Sequence, residues 1–172
     1  NRRLDEYGGT IENRMRYPLE VLKAVRNGWP SERPLTVRIS ATDWLPDDEE
    51  GLTGDDAVLI SRMLAESGCD AVDVSSGGNT HRSDPLYGRM YQVPFAERIK
   101  HEVGVPVMAV GAILGADHAN TILAAGRADL ICMARPFLRD PYIPLSASSH
   151  YDHPDQWWPP QYLAGRPPPP TT

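Results

Sequence analysis

Hydrophobic positions along this chain switch repeatedly between a period near 3.6 and short apolar runs, and the switching predicts an alternating helix and strand order. After a polar opening that ends in Gly8 and Gly9, Ile11, Met15, Leu19, Leu22 and Val25 recur every three or four positions behind Thr10, a helix N-cap. Pro18 is expected to bend that helix or delay its regular part. LTVRIS reads as a strand entered near Leu35, with Arg38 close to its C-terminal end. A buried strand carries an arginine there if it meets a carboxylate or reaches an anion at the strand's mouth, and the sequence leaves both open. The acidic loop ATDWLPDDEEGLTG leads to a second helix, with Thr53 and Asp56 as a capping box, Ala57, Ile60 and Leu64 on its apolar face, and Gly68 to stop it. DAVDVSSGG is a strand entered near Asp70 that runs into two serines and two glycines, an ending that suits a ligand loop or an ordinary turn.

NTHRSDPLYGRMYQVP is long for a loop in a compact domain, which predicts that it covers something. PFAERIKHEVG follows as a short helix with Phe95, Ile99 and Val103 on one face. VPVMAVGAI is a strand entered near Val105 and ending in Gly111, ADHANTILAAGRA a crossover helix closed by Gly126, and DLICMA a strand entered near Asp129. The order is therefore α(βα)₃β. Gly111 follows a strand, where a missing side chain lets main-chain N–H groups approach a ligand, and Gly126 with Arg127 precedes the next one. An anion near both would meet bare amides and a guanidinium. The competing reading makes Gly111 a turn residue and Gly126 a helix C-cap.

The four strands are apolar enough to be buried on both faces, which an open doubly wound sheet or consecutive strands of a (β/α)₈ barrel would achieve. The G-x-G-x-x-G fingerprint of the doubly wound option is missing. A barrel places its site at the C-terminal ends of the strands, often with a phosphate site after the last two, and Gly111 and the GRAD segment suit that plan. Four strands cannot close a barrel, so the expected α/β fold is the second half of one.

Composition narrows the field further. With 172 residues, 41% of them hydrophobic, the chain can build one substantial core. A net charge of −6 argues against a nucleic-acid partner. No run approaches the roughly 20 apolar residues of a membrane span, and none has a signal-peptide layout, so a cytoplasmic location without a membrane partner is expected. Cys69 and Cys132 stand alone and read as small buried hydrophobes, and the close pair His150 and His153 lacks a third ligand of fitting spacing, so no metal site is assigned. The chain opens on Asn1 rather than Met, as expected of a piece of a longer protein. Seven prolines between Pro154 and Pro170 predict an extended arm, with Trp157, Trp158 and Tyr162 docked on the body or on another subunit.

Five stretches, NRRLDEYGGTIENRMRYPLEVLKAVR, VRIS, YQVPFAERI, AVGAI and GRADLICMARPFLRDP, stand in an order and spacing that resembles the C-terminal half of the old yellow enzyme family, above all its bacterial NADPH dehydrogenases. These are FMN-dependent ene-reductases on a TIM barrel. The resemblance implies that residues 1–141 form strands five to eight of an FMN-binding barrel and that residues 142–172 are a Pro/Trp-rich arm. It further implies that Arg38 reaches the reactive part of the flavin and stabilises negative charge on the N1/C2 carbonyl side, that Gly126 and Arg127 hold the FMN phosphate, and that Gly111 passes close to the phosphate or ribityl chain. The reaction implied is hydride transfer from NADPH, or NADH, through FMN to the β-carbon of an activated alkene such as an enone or an unsaturated acyl-CoA.

In the family the carbonyl-holding His/His or His/Asn pair and the proton-donating tyrosine lie on earlier strands, so no catalytic acid or base is assigned within this chain. Bacterial members often end in a QY segment followed by an arginine that enters the neighbouring subunit. Gln161 and Tyr162 match, Ala164 stands nearer the arginine's place and Arg166 comes two residues later, which implies at most a homo-oligomer through the arm. WWPPQYLAG also resembles the reductase-like C-terminal part of bifunctional aromatic acyl-CoA monooxygenases, where an FAD hydroxylase domain precedes the barrel. Two other classes stay open: a catalytically silent half-barrel acting as an assembly module, and a non-flavin phosphate-binding barrel. The latter would need a Lys or Glu at a strand end, and none of the four strands offers one.

Overall fold

The computed structural model describes residues 1–46, 49–153 and 155–168. Its frame is a parallel sheet of β1 (Thr36–Ser40), β2 (Ala71–Ser75), β3 (Val107–Ala109) and β4 (Leu130–Ile131), hydrogen-bonded in that order. Helices α1 (Ile11–Gly28), α2 (Gly54–Glu66), α3 (Val93–Val103) and α4 (Ala116–Ala124) precede or cross between the strands. The caps read from the sequence are made: Thr10 accepts the N–H of Asn13, and at α2 the Thr53 hydroxyl accepts the N–H of Asp56 at 3.3 Å while the Asp56 carboxylate accepts that of Thr53 at 3.0 Å. α1 runs from Ile11 through Pro18 to Gly28, so its regular part is not delayed to the proline. The proline costs the helix one N–H but leaves Met15 and Leu22 buried on the same face on either side of it.

Strands paired in sequence order by right-handed crossovers place every connecting helix on one side of the sheet. The burial pattern agrees. Val72, Val74, Val107 and Ala109 are fully buried and belong to one core with Leu64, Ile99 and Ile122 from α2, α3 and α4. Each such side chain contributes about 1.5–3 kcal/mol on removal from water. The alternate positions point to the other face, where the register lines up Arg38, Asp73, Met108 and Leu130 in a row. Burial on both faces therefore does not hold among the described residues: the apolar face is covered by helices and the Arg38 face is open. A doubly wound sheet would reverse its strand order and carry helices on both sides, so this is the wall of a partial (β/α)₈ barrel.

Beyond the sheet, α5 (Arg135–Arg139), α6 (Ile143–His150) and a 3₁₀ turn (Pro160–Gly165) were not predicted, and an entirely extended arm gives way to these short helices. Proline occupies an N-terminal position in all three, where its missing N–H would have no partner in any case. The Tyr162 hydroxyl meets that of Tyr142 at 2.6 Å, a contact within the arm itself. Trp157 remains 70% exposed in this chain. Pro154 and residues 169–172, part of the predicted arm, lie outside the described residues.

Candidate active site

Four parallel strands ending at one pole bring together the segments that follow them: residues 41–44 after β1, 76–78 after β2, 110–113 after β3 and 132–135 after β4. Backbone strain gathers here. Of the four non-glycine residues with positive φ among the described residues, Trp44 (54°), Met90 (59°) and Ala112 (50°) belong to these loops or to the long β2–α3 connection, and only Asp152 lies elsewhere. Each costs about 1–3 kcal/mol and persists only where the surroundings over-determine it.

The long connection predicted to cover something does so with Gln92. Its side chain is 3% exposed, its Oε1 accepts the hydroxyls of Ser76 at 2.7 Å and Ser75 at 3.4 Å, and its Nε2 donates to the carbonyl of Val110 at 3.0 Å. Ser76 also accepts the indole N–H of Trp44 at 2.8 Å. Trp44 stacks edge-on against Phe95 with centroids 5.5 Å apart, and Tyr87 does the same against Tyr91 at 5.2 Å. Gly111 has φ +109°, and a Cβ on it would lie 2.3 Å from Gln92 Nε2. Space and backbone conformation both demand glycine at this position.

Arg38 meets a carboxylate, the first of the two options left by the sequence. Its Nη1 lies 2.8 Å from Asp73 Oδ2, yet its side chain is 55% exposed on the open face. Asp73 is 16% exposed and its other oxygen, Oδ1, is buried without a hydrogen-bond partner. Cys132 sits close by: burial pushes its thiol up, Asp73 adds to that and Arg38 opposes it. Burial likewise pushes up the Cys69 thiol; Cys69 is buried as expected, whereas Cys132 is only partly so.

Gly126 and Arg127 are not brought to this pole. A crossover helix runs back against its strands, so α4 starts near the mouths and ends at the opposite edge. Its end is closed by Gly126 N–H to Leu123 O and Arg127 N–H to Ile122 O, both 3.0 Å, with Gly126 at φ +69°. Gly126 thus terminates the helix, as in the competing reading, one residue beyond its C-cap Ala125. Two residues later Asp129 accepts the N–H of Val107, the first residue of β3, at 2.9 Å. From Val107 to Gly111 the strand climbs about 13 Å at its usual rise. Arg127 is spent on Glu97 of α3, 2.8 Å away. The expectation that Gly111, Gly126 and Arg127 flank one anion is corrected accordingly.

The arginine that does follow a strand is Arg135, the first residue of α5 and exposed. Burial pushes the Tyr91 phenol up, Tyr87 adds to it and the positive charge of Arg135 works against both. The sequence held the signal in the order of elements: Arg135 comes after DLICMA, and Arg127 comes before it. For the FMN implied by the resemblance, the fit is partial and lies at one pole. Arg38 offers a cation on the open face, Gly111 bare main chain, and Arg135 a second cation beside the last mouth. Asp73 Oδ1 leaves an unmet polar demand on the same face.

The chain was compared with known proteins. The sequence profile of the NADH:flavin oxidoreductase / NADH oxidase family matches residues 1–153. The NADPH dehydrogenase of Geobacillus thermodenitrificans (strain NG80-2) is 48% identical over 148 residues, 86% of this chain, and that of Bacillus subtilis (strain 168) is 39% identical over the same number. In both cases this chain spans 42% of the relative's length. Among solved structures, the histamine dehydrogenase of Rhizobium sp. 4-9 superposes with a TM-score of 0.70 at 28% identity, over 84% of this chain and 21% of that one. The 6-hydroxypseudooxynicotine amine oxidase of Pseudomonas geniculata N1 gives 0.72 at 29%, over 87% and 22%.

Proposed function

The chain belongs to the NADH:flavin oxidoreductase / NADH oxidase family, and from that premise we propose that it supplies the FMN-holding wall of an NADPH dehydrogenase. The observation that carries this reading is the half-exposed Arg38 guanidinium on the helix-free face, on the sheet whose strands β3 and β4 are followed by Gly111 and Arg135. When bound, FMN supplies the redox chemistry, taking hydride from NADPH or NADH and giving it to the electron-poor C=C bond of an unsaturated carbonyl or acyl-CoA compound.

The chain's own residues hold and tune. Arg38 faces the ring with a charge only partly neutralised by Asp73, and stabilises negative charge on it. The phosphate belongs at the loops after β3 and β4, where a barrel commonly builds such a site with the start of a short extra helix. There the main chain of residues 111–112 would face the phosphate, and Arg135 would neutralise the dianion with a charge-assisted hydrogen bond. Gly126 and Arg127 have no part in it. Proton delivery to the substrate is not assigned to any residue of this chain.

The test is the polypeptide at its natural full length. It should purify yellow, bind FMN, and oxidise NADPH when given an enone. Arg38→Ala should lower the flavin's reduction potential and slow its reduction, since the cation favouring the reduced, negatively charged ring is gone. A protein that stays colourless after saturation with FMN would overturn the reading and favour the silent assembly module.

A further inference from the structure

We propose that Gln92 is the positioning residue of the cofactor site, a buried amide that clamps the main chain after β3 against the mouths of β1 and β2; the inference rests on the FMN reading above. Glutamine is seldom 3% exposed, and burying its amide is tolerated only when its polar atoms are paired. Here every partner lies at a strand mouth: the hydroxyls of Ser75 and Ser76 on its oxygen, the Val110 carbonyl on its nitrogen. Ser76 extends the connection to Trp44 beyond β1. One side chain thus couples three of the four mouths.

Two further observations point the same way. The residue two positions before the clamp, Met90, donates its N–H to the Ala112 carbonyl at 3.4 Å, so residues 110 and 112 are gripped on either side of Gly111 by one short segment. Gly111 itself lies where its missing Cβ would strike the Gln92 amide, so the glycine admits the clamp. The strained residues Trp44, Met90 and Ala112 are each bonded into this network or adjoin it, and a single fixed arrangement is what such strain requires. Gln92 touches no reacting atom in this scheme. It acts by fixing the loop whose main chain faces the phosphate or ribityl chain.

The test compares full-length wild type with Gln92→Glu, which keeps size and shape but turns the donor facing the Val110 carbonyl into an acceptor, and with Ser76→Ala, which removes one partner from the loop side. FMN dissociation constants, amide hydrogen exchange over residues 110–114 in the FMN-free protein and global unfolding midpoints are measured together. Q92E should weaken FMN binding by about tenfold or more, the scale of one buried polar group left unmatched. Exchange over 110–114 should accelerate by a similar factor. S76A should change both in the same direction by less, and adding it to Q92E should change little more, because both break one bridge. If Q92E does not fold, S76A alone decides. Wild-type affinity and wild-type exchange in both variants overturn the clamp while leaving the FMN reading intact. A wild-type protein that takes up no FMN overturns both.

Discussion

Asp70 accepts the main-chain N–H of Leu35 at 2.7 Å and pairs with Arg26, joining the start of β2 to the start of β1. The Leu35 hydrogen bond first, and Arg26 second, hold its carboxyl below the ordinary value of 3.8. A depressed folded value means that the carboxylate form adds stability above pH 3.8, and that this contribution is lost as pH falls through the folded value. Urea midpoints of the wild type should therefore drop below about pH 4, and Asp70→Asn should show a shallower drop there. Gly111→Ala combines a forbidden backbone angle with a collision against Gln92 and is expected to cost about 2–3 kcal/mol in denaturant unfolding. At this scale the sequence shows identities and hides partners. Arg38 was legible as an arginine needing a carboxylate or an anion, but Asp73 stands 35 positions away and only the parallel register pairs them. Gln92 was invisible as a site residue because it ends a polar stretch without any period, where nothing marks one amide as buried.

Elements were the most legible level. All four strands begin within two residues of the entries read from the apolar runs, and the caps at Thr10 and Thr53 are formed. The Thr53–Asp56 box ties down the start of α2, whose Ala57, Ile60 and Leu64 line the core. Thr53→Ala should cost about 1 kcal/mol in chemical denaturation and Thr53→Ser much less, since serine keeps the capping oxygen. What went unread has physical causes. α5, α6 and the 3₁₀ turn have five, eight and six residues, too few turns for an apolar period to emerge. The sequence sets Gly126 and Arg127 with Gly111 because they flank the same short crossover helix. A helix of nine residues carries the chain about 13 Å back along the strand direction before they occur.

The molecule as a whole is a curved wall with one apolar and one functional face. Its sheet ends at β1 on one side and β4 on the other, with no further strand paired to either among the described residues. Leu130 of β4 is 52% exposed. Residues 1–172 expressed alone should therefore associate, eluting above monomer size in gel filtration, because open strand edges pair with one another; the full-length polypeptide should not show this edge-driven association. A chain spanning 42% of its relatives' length carries a share of a site rather than all of it. On the function proposed above, that share is the half that grips a cofactor. The most direct check is the FMN dissociation constant of the full-length protein bearing Arg135→Ala beside that bearing Arg127→Ala. The expected result is a loss of about tenfold or more for Arg135→Ala, the worth of a charge-assisted hydrogen bond, with Arg127→Ala indistinguishable from wild type; weakened binding in Arg127→Ala with Arg135→Ala unchanged would contradict a cofactor held at the strand mouths.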